Sequence, residues 1–110
     1  MPTINVFYTD NQHCKQLNEA IQPLKKFVAK ELTCGDIQLQ HHEVSIRLLK
    51  TEGDGMLAGV ELEVTAHAFD DRVKRQDEIC LNIREFLKSK TDAQEIRVWL
   101  ILADLGHSWE

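Results

Sequence analysis

Val60-Glu61-Leu62-Glu63-Val64-Thr65-Ala66-His67-Ala68 is the stretch that decides the fold. Val60, Leu62, Val64, Ala66 and Ala68 share one parity, while Glu61, Glu63, Thr65 and His67 share the other. Successive side chains of a strand point to opposite faces, so this is a strand with one side in a core and the other in water. The rest of the chain must therefore supply a sheet covered on one face only.

Upstream, Thr3 to Tyr8 sets Ile4, Val6 and Tyr8 against Thr3, Asn5 and Phe7 and predicts a first strand beginning at Pro2, apolar on both sides. Thr9 or Asp10 can cap the next segment, in which Leu17, Ala20, Ile21, Leu24, Phe27, Val28 and Leu32 recur at helical spacing. The helix is expected to kink or start late at Pro23 and to end at Cys34-Gly35. A second strand is expected from about Ile37 to Leu49. Its apolar parity flips between Gln40 and Glu43, which a regular strand cannot do, so a bulge or bend belongs there. Lys50 to Gly55 reads as a turn.

Downstream, Asp70 or Asp71 caps a second helix carrying Val73, Ile79, Cys80, Ile83, Phe86 and Leu87, with a polar turn at Lys88 to Asp92. In the last strand Ile96, Val98, Leu100 and Leu102 alternate with Arg97, Trp99, Ile101 and Ala103. Apolar residues on both faces predict a central position in the sheet. The order is a tandem β-α-β repeat, an α+β fold with a four-stranded mixed sheet and two helices on one face. Trp99, Ile101 and Phe7 on the uncovered face suggest contact between subunits.

The chain of 110 residues suits one domain over 1–110, since domains commonly hold about 100–150 residues. Its hydrophobic share of 43% is ordinary for a chain that folds. A net charge of -5 speaks against a nucleic-acid partner, which needs basic groups to replace counterions on phosphate. No stretch reaches the ~18 apolar residues of a membrane span, and no apolar leader follows the start, so a cytoplasmic location without membrane contact is expected. Cys14, Cys34 and Cys80 are widely spaced and odd in number, and read as free thiols. His41-His42-Glu43 invites a metal reading, but on a strand only His41 and Glu43 share a face and no third ligand follows. No metal site and no cofactor are expected. His13, His67 and His107 stand alone.

The opening Met1-Pro2-Thr3-Ile4-Asn5-Val6 resembles the tautomerase superfamily, whose members carry Pro directly after the initiator Met and then a short apolar strand. The tandem architecture matches that superfamily along the whole chain. Asp71-Arg72-Val73-Lys74-Arg75-Gln76-Asp77-Glu78-Ile79, running on to Phe86-Leu87-Lys88, looks like the second helix of the 5-carboxymethyl-2-hydroxymuconate isomerase branch. Ile96-Arg97-Val98-Trp99-Leu100-Ile101 with Gly106-His107 looks like the end of small members of the superfamily. The chain departs from the pattern at Phe69-Asp70-Asp71-Arg72, where catalytic members carry a Gly-Arg/Lys-Ser type of turn, and at Met56-Leu57-Ala58-Gly59, which lacks a second Pro.

The resemblance implies a tautomerase with Pro2 as general base. With Met1 removed, Pro2 is a secondary amine on a rigid ring, and an apolar, cationic surrounding would hold it neutral at pH 7. It could then move a proton α to the carbonyl of an unsaturated 2-oxo acid. Such a small anionic substrate needs guanidinium groups for its carboxylate and its enolate. Arg47 and Arg72 are the expected substrate-binding residues, with Arg75 and Arg97 behind them. The resemblance further implies a homotrimer in which neighbouring sheets complete the site. The alternative is a non-catalytic homo-oligomer of the same fold that binds a small ligand or partner. A ferredoxin-like sensing module has the same element count with a different strand order.

Overall fold

The computed structural model describes residues 2–33, 35, 38–52 and 58–104. Strand β1 (Thr3–Tyr8) leads into helix α1 (Asn11–Leu32), and a single 3-10 turn (His41–Glu43) precedes β2 (Ser45–Lys50). Strand β3 (Val60–His67) is followed by α2 (Asp70–Lys74), α3 (Gln76–Lys88) and β4 (Ile96–Ala103). The sheet order is β2-β1-β3-β4. β1 is parallel to β2, antiparallel to β3, and β3 is parallel to β4. Each β-α-β unit thus forms its own parallel pair, and the two units meet along β1 and β3. The units are not interleaved, which excludes the ferredoxin-like alternative.

The alternation of the third strand holds residue by residue. Val60, Leu62, Val64 and Ala66 are fully buried, while Glu61, Glu63, Thr65 and His67 are only half-buried. Beneath the helices, Ile4 and Val6 of β1 join Leu24, Val28 and Leu32 of α1 and Ile79, Ile83 and Leu87 of α3 in one core. Full burial of such a side chain stabilises by about 1.5–3 kcal/mol, so this stripe-on-sheet contact outweighs any local propensity. Asp10 caps α1 by accepting from the Gln12 amide at 2.8 Å. Between the helices the Phe27 and Phe86 rings stack with centroids 4.4 Å apart.

Several expectations need correction. Helix α1 runs unbroken through Pro23 and closes at Thr33, whose hydroxyl donates to the Ala29 carbonyl at 2.8 Å. The stripe of Leu17, Ala20, Leu24 and Val28 is buried on both sides of the proline, so packing carries the helix across one missing amide donor. The second strand begins at Ser45 instead of near Ile37, a position outside the described residues, as is the second half, 53–55, of the expected Lys50 to Gly55 turn. The parity flip is real, and its cause is the 3-10 turn at His41–Glu43. The second helix is two helices joined at Arg75 (φ -104, ψ 12), and Phe69 stands at its N-cap with no side-chain cap bond, leaving Asp70 and Asp71 in the first turn. Finally, β4 is an edge strand. Its inward Val98 and Leu100 are only partly buried against the core, and its outward Trp99 and Ile101 are 46% and 44% exposed.

Candidate functional site

Pro2 is buried at the start of the central strand β1. Its carbonyl accepts from the Ser45 amide at 3.1 Å, which fixes it against β2. Thr3 stands opposite Thr65, so extending the register one step sets Pro2 across from Ala66, next to His67 at the end of β3. The same end of the sheet receives Arg72. That residue, from the five-residue helix α2, is 3% exposed. Its Nε donates to the Leu32 carbonyl at 2.9 Å and its Nη1 to the His67 carbonyl at 3.0 Å. The guanidinium carbon lies 4.8 Å from the centre of the Phe69 ring, which in turn packs on His67 at 4.5 Å.

Arg72 is therefore neither the solvated arginine nor the simple ligand contact that its surface-like sequence context suggests. It is a buried cation that ties the end of α1 to the end of β3, one residue along from Pro2's neighbour. The reason is local. Leu32 at the end of α1 has a carbonyl with no helical donor, and the His67 carbonyl at the strand end, which accepts from the Phe69 amide at 3.0 Å, has room for a second donor. A planar guanidinium can satisfy both at once. Asp70 and Asp71 beside it are exposed.

Arg47 lies elsewhere. It faces the uncovered side of the sheet, in a row that reads Arg47, Asn5, Glu63 and Trp99 across the four strands. It is exposed and does not converge with Arg72 within one chain. Arg75 bonds the Glu78 carboxylate at 3.2 Å and the Glu31 carbonyl at 3.4 Å, and Arg97 lies 5.7 Å from the Trp99 ring. His41 and His42 sit edge-on in the exposed 3-10 turn, and among the described residues no three potential ligands gather for a metal.

A cavity of about 440 Å³ opens at the other end of the sheet, between Ala58, Arg84 and residues Glu95 to Val98. Arg84 is held there by donating to the Ile96 carbonyl at 3.2 Å and to Glu85 at 2.7 Å. Nothing in the sequence pattern singled out Arg84, because one arginine on a helix surface carries no spacing signal. Of the thiols, Cys80 is half-buried, and burial pushes its pKa up against a hydrogen bond with the Leu100 backbone. Cys14 hydrogen-bonds with the Tyr8 hydroxyl, which raises the Tyr8 pKa. Among the described residues no helix is long and apolar enough to cross a membrane.

This fold is shared with solved structures of the tautomerase and MIF type. A fused 4-OT described as an asymmetric trimer superposes with a TM-score of 0.69 at 18% identity, over 96% of this chain and 91% of that one. A macrophage migration inhibitory factor-like protein from Entamoeba histolytica gives 0.60 at 11% identity, over 94% and 88%. MIF2 of Leishmania major gives 0.58 at 11%, over 98% and 93%. No family model and no curated protein matches the sequence. The likeness at these identities is one of fold: the chain has the α+β tautomerase/MIF architecture over its described length.

Proposed function

We propose that this protein, after removal of Met1, is a tautomerase in which Pro2 is the general base. The observation that carries the proposal is the burial of Pro2 at the head of a central strand, at the same end of the sheet as the buried guanidinium of Arg72. An α-amine ordinarily titrates near ~7.7–8.0, and both burial and a neighbouring cation disfavour its protonated form. The free amine would take a proton from the carbon α to the carbonyl of an unsaturated 2-oxo acid. The electron pair passes to the carbonyl oxygen as an enolate, and the same proton returns at oxygen or at the far carbon. Arg72 is the proposed cation for the anionic substrate at this end. Arg47, on the opposite face, serves a substrate at Pro2 only when it comes from another copy, which fits a homotrimer. No cofactor is needed for proton transfer of this kind.

A second reading is a non-catalytic homo-oligomer, and one observation favours it: the exposed Asp70 and Asp71 flank Arg72 and oppose an incoming anion. Intact mass of untagged protein, followed by turnover of phenylpyruvate-like and hydroxymuconate-like 2-oxo acids, decides between them. The expected result is loss of Met1, with enol-keto exchange that falls by a hundredfold or so in Pro2→Ala. Retained Met1, or turnover unchanged by Pro2→Ala, rejects the proline as base.

A further inference from the structure

The outer edge of β4 is open at Val98, beside the cavity that Arg84 lines. The Ala103 carbonyl accepts from the Ala68 amide at 3.2 Å, so the backbone groups of 97, 99, 101 and 103 face β3 and those of 96, 98, 100 and 102 face away from it. Among the described residues no strand lies beyond β4. Helix α3 closes this edge on both sides of Val98: Arg84 Nε donates to the Ile96 carbonyl at 3.2 Å, and Cys80 hydrogen-bonds with the Leu100 backbone. Between them the N–H and C=O of Val98 point outward without a partner among the described residues. The cavity of about 440 Å³ at this end of the sheet has Val98, Ile96, Ala58 and Arg84 in its wall. Glu95 and Arg97, exposed and opposite in charge, complete the lining. Arg84 uses Nε on Ile96 and Nη1 on Glu85, and its Nη2 bonds no described residue. An anchored guanidinium thus stands beside one open pair of backbone groups.

We propose that this cavity binds a small N-acyl α-amino acid with an apolar side chain, at the end of the sheet away from Pro2. Two residues that face each other in an antiparallel pair exchange both backbone bonds, so the ligand's amide N–H donates to the Val98 carbonyl and one carboxylate oxygen accepts from the Val98 amide. The Val98 amide lies on the Ile96 side of its residue. In this direction the carboxylate therefore comes to the side where Arg84 is anchored, and its second oxygen accepts from Nη2. The reverse direction would carry the carboxylate toward Leu100 and away from the cation. Residues paired across strands put their side chains on one face, so the ligand's side chain falls beside Val98, whose own is only partly buried against the core. An apolar group there extends that contact. A bare carboxylate leaves the Val98 carbonyl unanswered, and a longer peptide gains little, because the next outward amide, that of Leu100, is already engaged by Cys80.

Titration of isotope-labelled protein with N-acetylvaline, followed by NMR, tests this. The Val98 amide and the Arg84 Nε–H are expected to shift and saturate together. Two comparison ligands each lack one half of the match: N-acetylvaline methylamide has no carboxylate, and acetate has no amide N–H. Each should bind about tenfold more weakly or worse, as should N-acetylvaline to Arg84→Met, since a hydrogen bond to a charged group is lost. Circular dichroism checks the fold of the variant. Should it not fold, the comparison of ligands on the wild type decides alone. The proposal is overturned by the absence of a saturable shift at Val98, whether the edge stays empty or a neighbouring copy covers it. Equal binding of the methylamide or of acetate, or unchanged affinity in folded Arg84→Met, overturns it as well. A valine-terminated tetrapeptide that binds tenfold or so more tightly than N-acetylvaline would make the edge a peptide site and reject the one-residue window.

Discussion

Replacing Arg72 with Met measures what this residue does for the fold, apart from the substrate contact proposed for it. Arg72 is 3% exposed, so water cannot take over the Leu32 carbonyl that its guanidinium satisfies at 2.9 Å, whereas the His67 carbonyl, bonded at 3.0 Å, keeps the Phe69 amide as a second donor. A hydrogen bond from a charged donor contributes about 1.5–3 kcal/mol, and the stacking on Phe69 adds about 0.5–1. Met keeps most of the apolar stem and needs no desolvation of charge, which offsets part of the loss. The net expectation is a destabilisation of about 3–4 kcal/mol. With a urea slope of about 1–3 kcal/mol per molar for a domain of this size, the midpoint should fall by roughly 1–4 M. Arg72→Lys keeps the charge with a single ammonium and should lose about half as much. The assay is equilibrium urea unfolding followed by tryptophan fluorescence, with far-ultraviolet circular dichroism as a second probe. A loss under about 1 kcal/mol for the Met variant would refute the structural role.

Other expected outcomes rest on separate contacts. Asp10→Ala removes the cap bond to Gln12 and should cost about 1 kcal/mol in the same urea titration, with Asp10→Asn close to wild type. A double-mutant cycle on Phe27 and Phe86 should return a coupling of about 0.5–1.5 kcal/mol for their stacked rings, and a coupling near zero would mean the stack contributes only buried area. The Cys80 thiol, with its pKa raised by burial, should alkylate more slowly at pH 8 than a peptide thiol. The sign for stability follows from the same shift. The unfolded thiol ionises near ~8.5, before the folded one, so the contribution is complete below that pH and is lost as pH rises through the folded value. Cys80→Ala should remove that alkaline slope.

The strands and helices with one clean period were legible in the sequence because each of their side chains has only two sides to choose from, core or water. Val60 to His67 held its parity in full, and the stripe from Leu17 to Leu32 held across Pro23. The apolar residues on both faces of Ile96 to Ala103 were equally legible, yet their meaning was not: a central strand and an edge strand with an exposed apolar face have the same pattern. Only the pairing of β1 with β3 places β4 at the rim. The bend before β2 could be inferred from a change of parity, but its 3-10 form depends on how α1 ends and where β2 joins β1.

The candidate site divides the same way. Its proline is a matter of sequence, since Pro2 is second in the chain whatever the fold. The company it keeps is tertiary. Arg72 is 70 residues away from Pro2 along the chain and comes to its end of the sheet because β3 runs antiparallel to β1, whereas Arg47 is sent to the opposite face by the two-residue period of β2. A sequence states which residues are charged and which face of their own element they occupy. Whether two such faces meet is set by strand order and direction, which follow from burying one common core and are written in no single segment.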